Sequence, residues 1–301
     1  MASKFRTPLI RLAFVTAMVM ILGSKSQAQA PLRWKFEAGQ VYRYEFVQRN
    51  KIKVKTEGQE FTSNNDLTVN LSWKVKSVTP EGTAEIVMLM ERVQAIVESG
   101  PQMINYDSKG ENQGEGASKP FHDVYSVAIG PEYKIKMDAR GQVLESKVPE
   151  KVTAALQVSP FVGVADGGSF LSDKGVQNVF AQVVPVFPEK AVSKGDTWNG
   201  SIELPVAPLK LTLKHTDTLT EIDGSTAKVS TVLETSIKPD PDSPLAIEMK
   251  SQEGKGTVTI DTKAGRITAS TIVQTIEMGI KIMNKQIDQT VSINADLKLL
   301  P

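Results

Sequence analysis

The chain has 301 residues, no cysteine, only two histidines, and 35 basic against 34 acidic side chains. No disulfide framework and no thiolate metal site can be built from it. Its nearly balanced charge leaves no electrostatic footprint for nucleic acid.

Residues 1–28 read as a signal peptide. Lys4, Arg6 and Arg11 make a basic start, "LAFVTAMVMILG" at 12–23 is an apolar core, and "SQAQA" supplies the small residues of a cleavage site. Cleavage is expected after Ala28, because Pro31 directly follows Ala30 and disfavours a cut there. The apolar run falls short of the roughly 20 residues that cross a bilayer. No later segment is apolar enough to span one, so no transmembrane segment is expected after cleavage. The mature protein is therefore expected to be periplasmic or secreted. Removing four basic residues and no acid leaves it a formal charge of −3.

Residues 29–147 are expected to form an N-terminal β-meander half. It opens with "FEAGQVYRYEF" at 36–46. Apolar residues then alternate through Leu67, Val69, Leu71, Trp73 and Val75, the period of a strand with one buried face. "TPEGT" at 79–83 supplies a tight turn, with Gly82 taking the positive φ that hairpins demand. The segment at 98–120, "ESGPQMINYDSKGENQGEGASKP", is polar and glycine-rich and is expected to be mobile. "YKIKMDARGQVLES" at 133–146 reads as a hairpin turning through Asp138 and Gly141.

Residues 148–190 have a different texture and are expected to be a helical connector. "VPEKVTAALQV" at 148–158 places Pro at a helix start. "VQNVFAQVVPVFP" at 176–188 sets Val176, Val179, Phe180, Val183 and Val184 on one helical face and ends in prolines. Between them "PFVGVADGGSFLSDKG" reads as a loop.

Residues 191–301 are expected to form a C-terminal β-meander half. It begins with "VSKGDTWNG" at 192–200, which repeats the grammar of 36–46. A strand through Leu209, Leu211 and Leu213 turns at "IDGST" and returns through Ala227, Val229 and Val232. "GTVTIDTKAGRITAS" at 256–270 matches 133–146, with Asp261 and Gly265 in the places of Asp138 and Gly141. Three matched elements in the same order point to an internal duplication. Strands of about 15 residues, a register shift near Thr271–Ile272 and a final strand ending at Leu299 suggest a large curved sheet or partial barrel.

The fold class is therefore mainly β with a few short helices: two similar antiparallel meanders joined by a helical connector. Chemistry is sparse. His122 and His215 share no ligand spacing, and the nucleophile-elbow, zincin, phosphate-loop and dinucleotide motifs are all absent. Asp240 and Asp242 lack the oxygen count that calcium wants. A hairpin turn accounts for Asp138 and Asp261. No catalytic residue, metal or cofactor is assigned.

"LRWKFEAGQVYRYEF", "INYDSKG", "YKIKMDARGQV" and "PEKAVSKGDTW" together resemble an uncharacterised family of exported β-rich bacterial proteins, a domain of unknown function common in planctomycetes. The resemblance covers most of the mature chain and implies an exported β-rich protein with no catalytic residues to carry over. A looser architectural likeness is to envelope proteins that hold lipid in a curved half-barrel. The expected function is that of an exported, non-enzymatic protein binding lipid or another apolar or amphipathic small molecule on a curved sheet. Met88, Met90, Met278 and Met283 are the candidate ligand-facing residues, methionine being adaptable to flexible tails. The alternatives are a structural or interaction module meeting envelope proteins, and a hydrolase with a dispersed carboxylate site.

Overall fold

The computed structural model describes residues 31–111, 114–159, 170–206, 209–241, 243–283 and 285–301. The expected signal peptide, the "GVADGG" loop, Asp242 and Asn284 lie outside the described residues. In chain order the elements are β1 (Val41–Thr56), β2 (Gln59–Val78), β3 (Ala84–Ser99), β4 (Gln102–Asp107), α1 (Lys119–Ala128), β5 (Tyr133–Met137), β6 (Val143–Lys147), α2 (Glu150–Gln157), α3 (Asp173–Val183), β7 (Thr197–Val206), β8 (Leu209–Asp223), β9 (Thr226–Pro239), β10 (Leu245–Asp261), β11 (Arg266–Ile282) and β12 (Lys285–Leu299).

All twelve strands form one curved, unclosed sheet, ordered β6-β5-β3-β2-β1-β12-β11-β10-β9-β8-β7, with β4 paired to β3 off this path. Every pairing between named strands is antiparallel. The sheet is two meanders set side by side. The first runs outward from β1 to the edge at β6. The second starts at the opposite edge with β7 and runs inward to β12, which pairs with β1. Moving β7 through β11 six places along the sheet lays them on β1, β2, β3, β5 and β6 in order and direction.

The repeated opening phrase makes the same lock twice. Gly39 N–H donates to the Val75 carbonyl at 2.9 Å, and Val75 N–H donates back to Gln40 O at 2.9 Å. In the second meander Gly195 N–H donates to Leu219 O at 2.7 Å, and Leu219 N–H returns to Asp196 O at 3.0 Å. Both glycines sit at positive φ, +89° and +96°, where a side chain would be strained. The matched turns are used together as well. Trp34 N–H donates to Ala139 O at 2.8 Å and Lys35 N–H to Gly265 O at 2.9 Å, so the N-terminal segment is held by both turns at once.

One face of the sheet carries the core. Period-two alternation puts Tyr42, Tyr44 and Phe46 on it from β1, with Leu71 and Val69 opposite on β2 and Leu299 and Leu297 opposite on β12. Single-residue bulges at Glu91, Thr220, Lys250 and Thr268 absorb breaks in the alternation, so apolar residues stay on this inner face along each strand.

Helix α3 lies inside the curl. Ser172 caps it, accepting from Gly175 N–H at 2.9 Å. Its apolar stripe is buried, and Phe180 meets Trp73 of β2 with ring centroids 4.9 Å apart. Trp73 in turn contacts Tyr44 and Trp34, which stacks on Phe36. The same helix touches β6, β7, β11 and β12. A helix meets both sheet edges only if the sheet curls around it. Residues 186–188 complete the bridge: Phe187 N–H donates to Arg140 O at 2.9 Å in the β5–β6 turn, and Trp198 Nε1–H on β7 donates to Val186 O at 3.1 Å. The break in the barrel is thus a seam, stitched by α3 and the chain that follows it.

Two local expectations differ from the structure. The segment 98–120 contains β4 and the start of α1. Its "INYD" portion pairs with the end of β3, and Tyr106 is fully buried among Phe121 and Tyr125 of α1. Long-range burial of one tyrosine outweighs a polar local composition there. In β11 the bulge falls at Thr268, opposite the Thr259–Ile260 step, a few residues earlier than the alternation indicates.

Candidate functional site

The inner face divides into two zones. Near the matched turns it is filled by the aromatic cluster and α3. Beyond Phe46, Leu67 and Ala295 the long strands continue; Gln48, Asn50, Asn65 and Ser63 make a polar band on this face of β1 and β2, and apolar residues resume past it. Ile52 stands opposite Val291, Val54 opposite Phe61, Ile280 opposite both Ile247 and Ile287, and Ile282 opposite Leu245. None of these nine belongs to the core cluster. All are half-buried except Phe61, which is 56% exposed at the rim. Their neighbours on the outer face of β1 are charged, Lys51, Lys53 and Lys55, and Lys285 pairs with Glu57 at the adjoining strand ends. A sheet whose second face were equally solvated would not keep branched apolar residues on it.

The four methionines fall in different places. Met88 and Met90 are fully buried in the aromatic zone, paired with Trp73 and Leu71. Met278 lies opposite Met249 on the inner face of β11 and is buried. Met283 is 81% exposed at the β11–β12 turn, with a positive φ of 53°.

The second meander buries an unexpected polar group beneath α3. Asp217 on β8 is 0% exposed. Its Oδ2 lies 2.8 Å from His215 Nδ1, and its Oδ1 accepts from the Thr231 hydroxyl at 2.6 Å. On the same face Gln274 donates from Nε2 to the Thr235 hydroxyl. A buried carboxylate without such partners would be strongly destabilising, so the network makes the arrangement tenable. In the neutral imidazole the carboxylate acceptor favours the proton on Nδ1, which leaves Nε2 as an acceptor.

Directly opposite His215 in the ladder is Gly200. A methyl group at residue 200 would lie 2.1 Å from His215 Nε2. The imidazole therefore reaches across the edge strand through the space that a missing side chain leaves. His215 lines two hollows. One is a crevice of about 30 Å³ between α3 and the inner face, walled by Leu213, Leu233, Ile272 and Ile293. The other is a groove of about 480 Å³ along the seam. By sequence alone His215 shares no ligand spacing with His122 and is assigned no role. Its spacing of two from Asp217, on a stretch whose alternate residues are otherwise leucines, is the signal that could have marked it. His122 stands on α1 near Tyr106, and Asp138 and Asp261 accept from backbone N–H groups of their own turns. Among the described residues no cluster of three or more metal-ligating side chains occurs.

Residues 168–296 match the model of a family described as a family of unknown function (DUF6263). That stretch takes in α3 and the second meander almost to its end. No match is found among the curated proteins. Among solved structures, lipovitellin, described for its lipid–protein interactions, aligns at 11% identity and a TM-score of 0.47 over 89% of this chain and 26% of that one. The chain therefore spans about a quarter of the lipovitellin chain. OccK5 (OpdH) of Pseudomonas aeruginosa aligns at 7% identity and 0.25 over 87% and 99% of the two chains. An outer membrane channel from Pseudomonas putida F1 aligns at 6% identity and 0.23 over 91% and 98%.

Proposed function

We propose that this chain is an exported binding protein that holds an apolar or amphipathic small molecule on the inner face of its sheet, beyond the aromatic zone. The observation that carries this reading is the half-buried row of Ile52, Val54, Ile247, Ile280, Ile287 and Val291, in register across four strands and outside the core. Leaving such a row to water forgoes burial free energy of about 25 cal/mol per Å² of apolar surface. An apolar occupant recovers it. Met278 lies on this face and Met283 at its rim, and both would contact the tail of such a ligand. The basic start, apolar core and small residues of 1–28 support export. The paired locks at Gly39 and Gly195 support an origin of the two meanders by duplication.

The test is titration of the purified chain with a naphthylamine dye whose emission rises in apolar surroundings. Saturable binding is expected, with displacement by a fatty acid. The double variant Ile52→Asp, Ile280→Asp should lose at least tenfold in dye affinity while its thermal transition moves little. Dye binding that is absent, or that is unchanged in the double variant, refutes the proposal.

A further inference from the structure

The apolar row accounts for a tail and says nothing of a head group, yet the structure holds a polar site where the inner face meets the seam. His215, Ala181 and Ile202 line both the crevice under α3 and the seam groove, so the two hollows adjoin at these residues. The crevice ends at Leu213, with both aliphatic and polar side chains in its lining, and beyond it the same face of β8 continues through Leu211 to Leu209. Six residues of strand cover about 20 Å. One acyl chain needs about 15 Å, half of a bilayer's hydrocarbon core of about 30 Å.

The groove differs in chemistry. Gln142 of the β5–β6 turn, Gln177 of α3, and Asn199 and Ser201 of β7 offer neutral amide and hydroxyl groups, with the half-buried ring of Trp198 beside them and the Glu203 carboxylate, which repels a phosphate, further along β7. Arg140 is the one arginine or lysine among its lining residues. It already donates to Phe187 O at 2.7 Å and pairs with Glu189 at 3.2 Å. A phosphate head would therefore meet no uncommitted cation here. The His215 side chain is 10% exposed, its Nδ1 is engaged with Asp217, and its Nε2 has no partner among the described residues. Nε2 is thus open to the groove, and an acceptor held in place by a buried carboxylate is ready for an O–H donor.

We infer that the seam groove is the head-group subsite of the ligand site, selecting amphiphiles with hydroxyl-rich, uncharged heads such as glycosyl groups, and that His215 Nε2 accepts a head-group hydroxyl. Asp217 and Thr231 are positioning residues for the imidazole, and Gly200 is the opening through which it is presented. The inference rests on the inner-face reading above, and the experiment separates the two.

The full chain is titrated calorimetrically with decyl maltoside and with decyl phosphocholine, both below their micelle-forming concentrations. The tails are identical, so any difference belongs to the head. The maltoside should bind about tenfold tighter, the worth of one good hydrogen bond. His215→Leu and Gly200→Ala should each abolish that preference, bringing the two affinities to within about twofold of each other. Gly200→Ala removes no polar group and displaces the ring by contact, so it carries the test should His215→Leu fail to fold. Equal affinities in the wild type, or a preference that survives both substitutions, overturns the head-group assignment and leaves the inner-face reading standing. Binding of neither surfactant overturns both.

Discussion

Replacing Phe180 by alanine tests whether α3 is the wedge around which the sheet is built. Phe180 is 3% exposed and its ring lies 4.9 Å from that of Trp73, which also contacts Tyr44 at 4.6 Å and Trp34 at 6.1 Å. Truncating a buried Phe to Ala costs about 3–5 kcal/mol through lost transfer free energy and the cavity left behind. Against a total stability of about 5–15 kcal/mol that is a large fraction. With a urea slope of about 3 kcal/mol/M, the midpoint should fall by about 1–1.7 M. Tryptophan emission reports the transition, because Trp73 and Trp34 both sit in the affected cluster. A double cycle with Trp73→Leu should give a coupling of about 0.5–1.5 kcal/mol for the ring pair. Lys174→Ala, on the exposed side of the same helix, should change stability by no more than about 0.5 kcal/mol. A loss below about 1 kcal/mol for Phe180→Ala would mean that α3 merely lies on the sheet, and the seam would then have no structural basis.

Two further outcomes follow from the turns and the charges. A methyl group at residue 265 would sit 2.7 Å from Lys35 N, at a φ of +61°, whereas one at residue 224, φ +56°, would meet nothing within 4 Å. Gly224→Ala should therefore cost only the left-handed strain of about 1–2 kcal/mol, and Gly265→Ala at least about 1 kcal/mol more, because the N-terminal segment must shift; equal urea midpoints for the two variants would contradict this. Asp107 is held down at about 2, first by the Arg92 guanidinium, whose Nε donates to it at 3.0 Å, and also by Lys109 N–H. A lowered carboxyl favours the fold above its unfolded range and loses that contribution as pH falls from about 4 towards 2. Asp107→Asn should cost about 1 kcal/mol at pH 7, allowing for screening of a partly exposed pair, and the gap from wild type should close in acid. A gap that stays constant with pH would remove Arg92–Asp107 from the account.

Much of the architecture is legible in the residues themselves. Alternation through Leu67–Val75 and Leu209–Leu213, the acid–glycine turns, and the proline-bounded apolar stripe at 176–188 each carry local information that strand, turn and helix formation read directly. What is not legible is long-range. Nothing in "FEAGQV" or "VSKGDT" says that both glycines will donate to a carbonyl one strand away, or that β1 will meet β12 and merge two meanders into one sheet. Tyr106 lies in polar text and is buried by partners from elsewhere in the chain. The candidate site follows the same rule. The apolar positions of the inner face show as strand periodicity, but whether they end in the core or outside it depends on how far α3 reaches. The pairing of His215 with Asp217 is visible as a spacing of two. The empty place at Gly200, which gives that pairing its direction, appears only when β7 is set beside β8.

The most direct measurement is native mass spectrometry of the full chain, expressed from its whole sequence and purified without detergent. The account predicts a fraction of molecules carrying an added mass that is lost on mild activation and identified as an amphiphile by organic extraction, and that is much reduced in the Ile52→Asp, Ile280→Asp variant. A single bare mass in wild type, unchanged after incubation with a lipid extract, would contradict it.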